Sequence, residues 1–279
     1  MRDDLLRPRW RVPRQTAILP RTWMPIAVAA QTYVVAVIVF LVAWEVSSRA
    51  YGIPLLVPPV EVTFRKLVQL VKQGLLLRDI LWTTGRVAVG FFIGSVAGAT
   101  AGLAMGYWPI IRRMLEPYVN FFRFIPALAW ISIVLLLLGT GEVARISIIV
   151  YTSVSAVLIN TLAGIVSIPP AQLRAAQTFG ANQSQIFSRV IFPGTVRYIL
   201  TGMRLALGSA FMAVISAEML VADQGLGFLV INARLWMAMD EALVGVIFIG
   251  LLGLLADRLF GYLVNRYAWR FYGGTGSEM

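Results

Sequence analysis

Long apolar runs alternate with short polar intervals along the whole chain. Windows 22–44, 87–111, 124–141 and 146–173 contain no Asp, Glu, Lys or Arg, and about 20 apolar residues suffice for a helix to cross a bilayer. Segments 198–222 and 242–268 are apolar with a few embedded charges. The pattern predicts an all-α polytopic membrane protein with about six transmembrane helices, at 25–48, 84–107, 115–138, 143–168, 198–222 and 242–268, in one domain. Between the first two spans, Phe64, Leu67, Val68, Val71 and Leu75 share one helical face. Glu61, Arg65, Lys66, Gln69, Lys72 and Gln73 share the other. That segment is too polar to span. It either lies along the outer membrane face or packs as an ordinary helix beneath a loop.

Several spans carry local patterns. Gly90, Gly94, Gly98, Gly102 and Gly106 recur every four residues in the second span, cutting a backbone groove down one side. Small residues at that spacing let another helix approach closely, so the stripe predicts helix packing rather than substrate contact, without naming the partner. In the third span Pro126, within FFRFIPALAW, frees a carbonyl and predicts a kink. The fourth span holds Ser147, Tyr151, Thr152, Ser153, Ser155, Asn160 and Thr161. Its hydroxyls can bond to their own helix, whereas Asn160 either does likewise or faces a polar cavity. In the fifth span Glu218 stands a few residues from the outer end. A charge at the bilayer centre costs about 2.5–3.5 kcal/mol on insertion scales and less near an end, so Glu218 needs a partner or water. Beyond it, Gly225 and Gly227 permit a tight re-entrant turn.

Composition sharpens this picture. Hydrophobic residues make up 59% of the 279 and charged residues only 13%, about half the usual quarter for soluble domains. The net charge of +11 flanks the spans, which speaks for membrane orientation and against nucleic acid. With the N-terminus inside, the inner side holds 16 basic residues and the outer side eight, six of those in the first outer loop. The excess predicts both termini in the cytoplasm. Residues 1–24 read as a basic cytoplasmic tail rather than a cleaved signal, and 269–279 as a second tail. No Cys and no His are present, which excludes thiol chemistry, disulfides, His-based catalysis and His/Cys metal sites. The only lysines are Lys66 and Lys72 and there is no GxxxxGK[ST], so the chain has no P-loop.

The polar interval 171–197 is longer than a connector needs to be. Pro169-Pro170 stops the fourth span, and a helix can restart at once on Pro. Helix 171–179 ends at Gly180, Asn182 caps a second helix over 183–191, and Pro193-Gly194 ends that one before the fifth span. The product is a two-helix cytoplasmic knob presenting small Ala175 and Ala176 for docking; a loop packing on its own spans is the alternative.

Residues 175–193, AAQTFGANQSQIFSRVIFP, resemble the EAA motif of ABC importer permeases: Glu-Ala-Ala, three residues, Gly, nine residues, Ile-x-Leu-Pro. Ala175, Ala176, Gly180 and Pro193 stand in register, Val190 and Phe192 substitute at the Ile and Leu positions, and Arg174 replaces the Glu with reversed charge. From about residue 55, LVPPVEV, GRVAVGFFIG, FIPALAW, LINTLAGI, TGMRLALGSA and QGLGFLV look like the nitrate/sulfonate/taurine/bicarbonate branch. The resemblance implies the type I (MetI-like) importer fold of about five core helices, here with one additional N-terminal span. It implies a bacterial cytoplasmic membrane location and a pathway enclosed with a second permease copy. A separate binding protein delivers a small anionic solute, and ATPase subunits bind ATP and Mg, so this chain needs no cofactor and performs no bond chemistry. Arg174, Ala175, Ala176, Gly180 and Pro193 are the expected ATPase-coupling residues. Arg123, Pro126, Tyr151, Asn160 and Glu218 are the pathway candidates. Arg123 either attracts an anion or anchors its helix at the headgroups, the latter being the preferred reading. An ion-coupled secondary transporter using Glu45 and Glu218 is the alternative; it would normally show more midplane charge or broken helices in two related halves. An intramembrane enzyme would need an acid pair that these spans do not offer.

Overall fold

The computed structural model describes residues 26–53 and 55–268, and every regular element among them is helical. The two expected tails, 1–24 and 269–279, lie outside the described residues. The described residues up to Gly52 form one unit and those from Ile53 another. In the first, α1 (Ile26–Tyr51) carries an ion pair between Arg49 Nε and Glu45 at 2.9 Å, and residues 31–43 are exposed.

The second unit opens with α2 (Val60–Lys72), the amphipathic segment. Its buried line is Thr63 and Leu70, with Leu67 packed beside them, while Phe64 and Val71 of the expected apolar face stay exposed. The core beneath decides this. Leu67 and Leu70 meet Leu226, Leu229 and Val244 in one apolar cluster, and Lys66 Nζ lies 3.7 and 3.6 Å from Asp240 and Glu241. Gly74, at φ +72°, turns the chain directly into α3 (Leu75–Tyr107). This helix begins nine residues before the expected span at 84. Asp79, Thr83 and Arg86, the polar residues of its first turns, are buried and partnered.

The glycine stripe of α3 faces α6 (Glu142–Val166). A Cβ added at Gly90, Gly94 or Gly102 would come within 2.6 Å of Ile149, 2.5 Å of Ser153 and 2.7 Å of Thr161 respectively. At Gly98 it would meet the Val154 carbonyl at 2.7 Å and Val157, and at Gly106 it would meet Ile165. The offset is constant, since 149 − 90 and 165 − 106 both equal 59. The two helices therefore run in the same direction, backbone against side chain, over four turns.

Between them the chain returns through α4 (Pro109–Phe122) and α5 (Ala127–Leu138), bent by 101°. The expected single span at 115–138 with a kink is thus corrected to a broken pair. Pro126 has no N–H for the Phe122 carbonyl and disfavours helical backbone before it; it sits as the N-cap of α5 instead. The Tyr151 hydroxyl, 2.6 Å from Phe122 O and 2.9 Å from Ile125 O, donates into the carbonyls of this elbow.

After α6 come α7 (Pro170–Thr178) and α8 (Gln183–Ile186), a π-helical turn at Phe187–Ile191, and α9 (Phe192–Val221). Pro193-Gly194 does not end a helix here. Residues 183–221 run on as one 39-residue stretch, because the π turn widens the backbone just where Pro193 lacks its donor. α9 runs antiparallel to α6, with Gly202 against Asn160 and Gly164 against Tyr198. α10 (Leu226–Leu235) and α11 (Met239–Tyr267) close the unit. From Ile53 on, α3, α6 and α11 cross one way, while the α4–α5 pair and α9 cross back. By length and apolarity there are five candidate spans among the described residues, or six with the bent pair counted as one.

The glycine contacts give a paired expectation. Gly94→Val should destabilise the protein by about 1–3 kcal/mol or more through overpacking, lowering its melting temperature in detergent. Gly85→Ala on the same helix meets no atom within 4 Å and should be neutral or stabilise by up to about 1 kcal/mol through helix propensity.

Candidate functional site

The knob packs on a small apolar core that it shares with the ends of α3 and α6. Ile168, Ile186 and Ile191 are buried there with Leu173, Ala176, Phe187 and Tyr107 around them. Gly180 takes φ +77°, which lets Ala181 N–H reach back to Ala176 O at 3.0 Å and closes α7. Asn182 and Gln185 then form a reciprocal capping box, each side chain accepting from the other's backbone N–H at 2.9 Å. Arg174, Ala175 and Gly180 are exposed on the outer surface. Ala176 is not; it turns inward onto the core, so the docking pair expected from sequence reduces to Ala175. Pro193 is half-buried in the first turn of α9. The tip carries an aromatic that the motif does not single out. Phe179 is 89% exposed, and an aromatic flanked by Thr178 and Gly180 on a polar segment was the signal for it.

The elbow gathers three pathway candidates. Arg123 is the exposed C-cap of α4, its guanidinium 4.8 Å from the Phe124 ring centroid. Pro126 is exposed beside it, and Tyr151 braces both sides of the break. Next to them a cavity of about 530 Å³ is lined by Tyr118, Phe122, Trp130, Ser147, Tyr151 and Ser155 among others. Asn160 stands apart at the α6–α9 contact, where Nδ2 donates to Ala156 O at 2.8 Å. Its amide is spent on its own helix.

Glu218 belongs to the opposite end of the bundle from the knob, and is fully buried. Arg86 Nη1 donates to it at 2.7 Å, Thr83 Oγ1 at 2.9 Å and Gly227 N–H at 2.9 Å. Arg86 is itself only 3% exposed. Its Nε and Nη2 form a fork on Glu142, both at 2.7 Å, and Nη1 also reaches Gln224 O at 2.7 Å. Arg145 bonds Glu142 and donates to Val221 O at 2.8 Å. Two backbone donors of the loop are met from α3: Gly225 N–H by Asp79 at 3.0 Å and Leu226 N–H by Thr83 Oγ1 at 2.9 Å. Gly225, at φ +118°, leaves no room for a Cβ beside the Glu218 carboxylate. α3, α6, α9 and α10 are thereby tied at one point. The sequence reading placed Arg86 and Arg145 among loop charges; that each stood beside an apolar run, as Glu218 did, was the signal that they pair.

Two further charges were passed over. Arg204 of α9 and Asp257 of α11 form a two-bonded ion pair, Nε to Oδ1 and Nη2 to Oδ2, both 2.8 Å.

Residues 90–269 match the family described as binding-protein-dependent transport system inner membrane component. A probable ABC transporter permease of Brucella melitensis is 38% identical over 75% of this chain and 85% of its own length. The taurine transport system permease of Escherichia coli is 31% identical over 79% and 82%. The bicarbonate transport system permease of Synechocystis is 33% identical over 80% and 84%. Among solved structures, an amino acid ABC transporter crystallised with histidines superimposes with a TM-score of 0.60 at 19% identity, covering 72% of this chain and 97% of that one.

Removing the central carboxylate tests the tie. Glu218→Ala leaves the Thr83 and Gly227 donors without their acceptor and Arg86 with Glu142 as its carboxylate partner, which should cost about 1–3 kcal/mol. The expected readouts are a lowered melting temperature and faster proteolysis in the 222–226 loop, with Gly225→Val reproducing both.

Proposed function

Because the chain belongs to the binding-protein-dependent transport system inner membrane components, the permeases of ABC importers, we propose that it forms half of the pathway for a small anionic solute and is driven through its knob. The knob lies in the groove of an ATPase subunit, which binds ATP and Mg. A second permease copy completes the pathway, and a binding protein delivers solute at the end that carries Glu218. Both termini then lie in the cytoplasm with the knob. The chain carries out no bond chemistry; its part is a two-state membrane domain whose states the other subunits bias.

The single observation that carries the coupling reading is the shape of the knob. A segment that only connected α6 to α9 would have no reason for a reciprocal cap and an exposed Phe179 at its tip. An aromatic anchor beside small residues suits insertion into a partner's pocket. Arg174 then calls for an acidic residue on the facing ATPase groove. Pro193 contributes by setting the π turn that joins knob to shaft.

For the substrate, support comes from the relatives named for taurine and bicarbonate. Arg123 and Pro126, at the elbow, are pathway residues on this reading, and Tyr151 holds the elbow open. Asn160 and Glu218 act by packing and bracing. An ion-coupled transporter using Glu45 and Glu218 finds no support, since Glu218 is held by Arg86, Thr83 and Gly227.

Coupling is measured in liposomes containing this chain, its ATPase and its binding protein. Phe179→Asp should lower solute-stimulated ATP hydrolysis and uptake together by about tenfold or more, the equivalent of about 1.4 kcal/mol of docking free energy, while the permease still folds and inserts. Unchanged hydrolysis and uptake would remove the knob from the mechanism.

A further inference from the structure

Four glycines of α9 and α11 face open space. Gly208, Gly250, Gly253 and Gly261 have no heavy atom within 4 Å of where a Cβ would stand, whereas every glycine of the α3 stripe meets α6. Two cavities occupy the groove they border. One, of about 630 Å³, is walled by Leu207, Phe211, Ile215 and Ile249 together with the first three of these glycines. The other, of about 480 Å³, has Thr201, Arg258, Tyr262 and Asn265 in its wall. The Arg204–Asp257 pair borders both.

Depth separates the two halves. A hydrocarbon layer about 30 Å thick takes about 20 residues of helix. At the Glu218 end α9 stops at Val221 and α11 begins at Met239. Counted from there the layer closes at about residue 201 on α9 and 259 on α11 (221 − 20 and 239 + 20). The first cavity lies within the layer, bordered by exposed Leu205, Met212, Leu251 and Leu255. The second lies at its boundary on the knob side, where the charges are mostly basic. Arg204 is committed to Asp257 by two bonds of 2.8 Å, and Asp257 is the only carboxylate of either helix at that end. Arg258 is exposed in the wall and bonds no carboxylate among the described residues. Arg197 and Arg266, also exposed, stand one helical turn beyond Thr201 and Tyr262.

We propose that this groove binds an anionic phospholipid, with its phosphate on Arg258 and one acyl chain along Gly208, Gly250 and Gly253. The groove is apolar through the depth of the hydrocarbon and cationic at its edge, the order in which a lipid presents its own chemistry. Basic pockets between membrane helices at the cytoplasmic face hold anionic headgroups in this way. A helix from a second copy would match the apolar half and leave the cations of the other half unanswered. Asp257 does not repel the phosphate, because Arg204 balances its charge. Tyr262, 65% exposed in the same wall, stands at the depth where interfacial tyrosines collect. The bound lipid packs the side of α9 that no other helix fills, so the helix that carries the knob has lipid for a neighbour there. Placing the headgroup in the cytoplasmic leaflet rests on the importer reading above; the site itself does not.

Lipid retention is read by native mass spectrometry on the purified permease, delipidated and then given phosphatidylglycerol or phosphatidylcholine of the same acyl chains. Neither ATPase nor solute is needed, so the result is independent of the importer reading. Phosphatidylglycerol should be retained about tenfold better, and equal retention of the two lipids overturns the inference. Arg258→Gln/Arg266→Gln should cut retention of phosphatidylglycerol about tenfold through the headgroup, and Gly253→Leu as much by filling the groove. Either variant within about twofold of the parent is the contrary result. Arg113→Gln removes an exposed cation of α4 and should change nothing; a loss equal to that of the groove variants means general attraction to charge and overturns the site. Inorganic phosphate should not compete with the lipid, and full competition by it assigns the cations to free phosphate instead. A changed oligomeric state in Gly253→Leu, with phosphatidylglycerol still retained, assigns the groove to a second copy and overturns the lipid. Should Gly253→Leu fail to fold, Gly208→Leu fills the same cavity from α9.

Discussion

The fold of the second unit hangs on one buried ion pair. Arg86 and Glu218 are separated by 132 residues in sequence and 2.7 Å in space. Glu218 has no other charged partner among the described residues, so Arg86 fixes its position, while Arg86 is held by Glu142 as well. From that pair the order of events in the architecture can be read outward. Arg86 spends its remaining donors on Glu142 and Gln224, and Glu218 its remaining lone pairs on Thr83 and Gly227. Four helices acquire a common origin at one end. The glycine stripe then needs only to keep α3 and α6 parallel from that origin, and its constant register does so down to Gly106.

How much of this was readable beforehand follows from the range of each signal. Span positions, the four-residue glycine rhythm, the Gly180 break and the Asn182 cap are local, and local chemistry sets them. The rhythm announced a close neighbour without saying which, because Ile149, Ser153 and Thr161 lie 59 positions away. Pro126 announced a weakness in the backbone; that it becomes a 101° elbow depends on Tyr151, one hydroxyl from another helix. The start of α3 falls nine residues earlier than predicted because Arg78 and Asp79 interrupt the apolar run, and the partner that lets Asp79 be buried, Gly225 N–H, lies 146 residues away. Ala176 was turned outward on paper because helical phase in a nine-residue segment is set by what lies beneath it, and the isoleucines beneath come from three separate elements.

Membrane helices associate without the hydrophobic drive available in water, and this chain shows the two substitutes side by side. Along its length the bundle relies on backbone-close packing at Gly90 to Gly106, Gly164 and Gly202. At its end it relies on charge. The half-open α9–α11 groove uses neither in full, with its glycines uncontacted and its ion pair exposed. Rigidity is concentrated on one side of α9 and withheld on the other.

The π turn at Phe187–Ile191 gives the long helix a mechanical character. From Gln183 to Val221 the chain is a single shaft of 39 residues, about 58 Å at 1.5 Å per residue. Between the capping box and Glu218 the winding departs from the α-helix at the π turn. The π turn is the place along this shaft where winding is adjustable. An α-helix advances about 100° per residue, so taking up the one surplus residue there would turn every later side chain, Arg204 and Glu218 included, by about a quarter revolution relative to the knob. A drive shaft with one built-in increment of twist can transmit rotation as well as tilt.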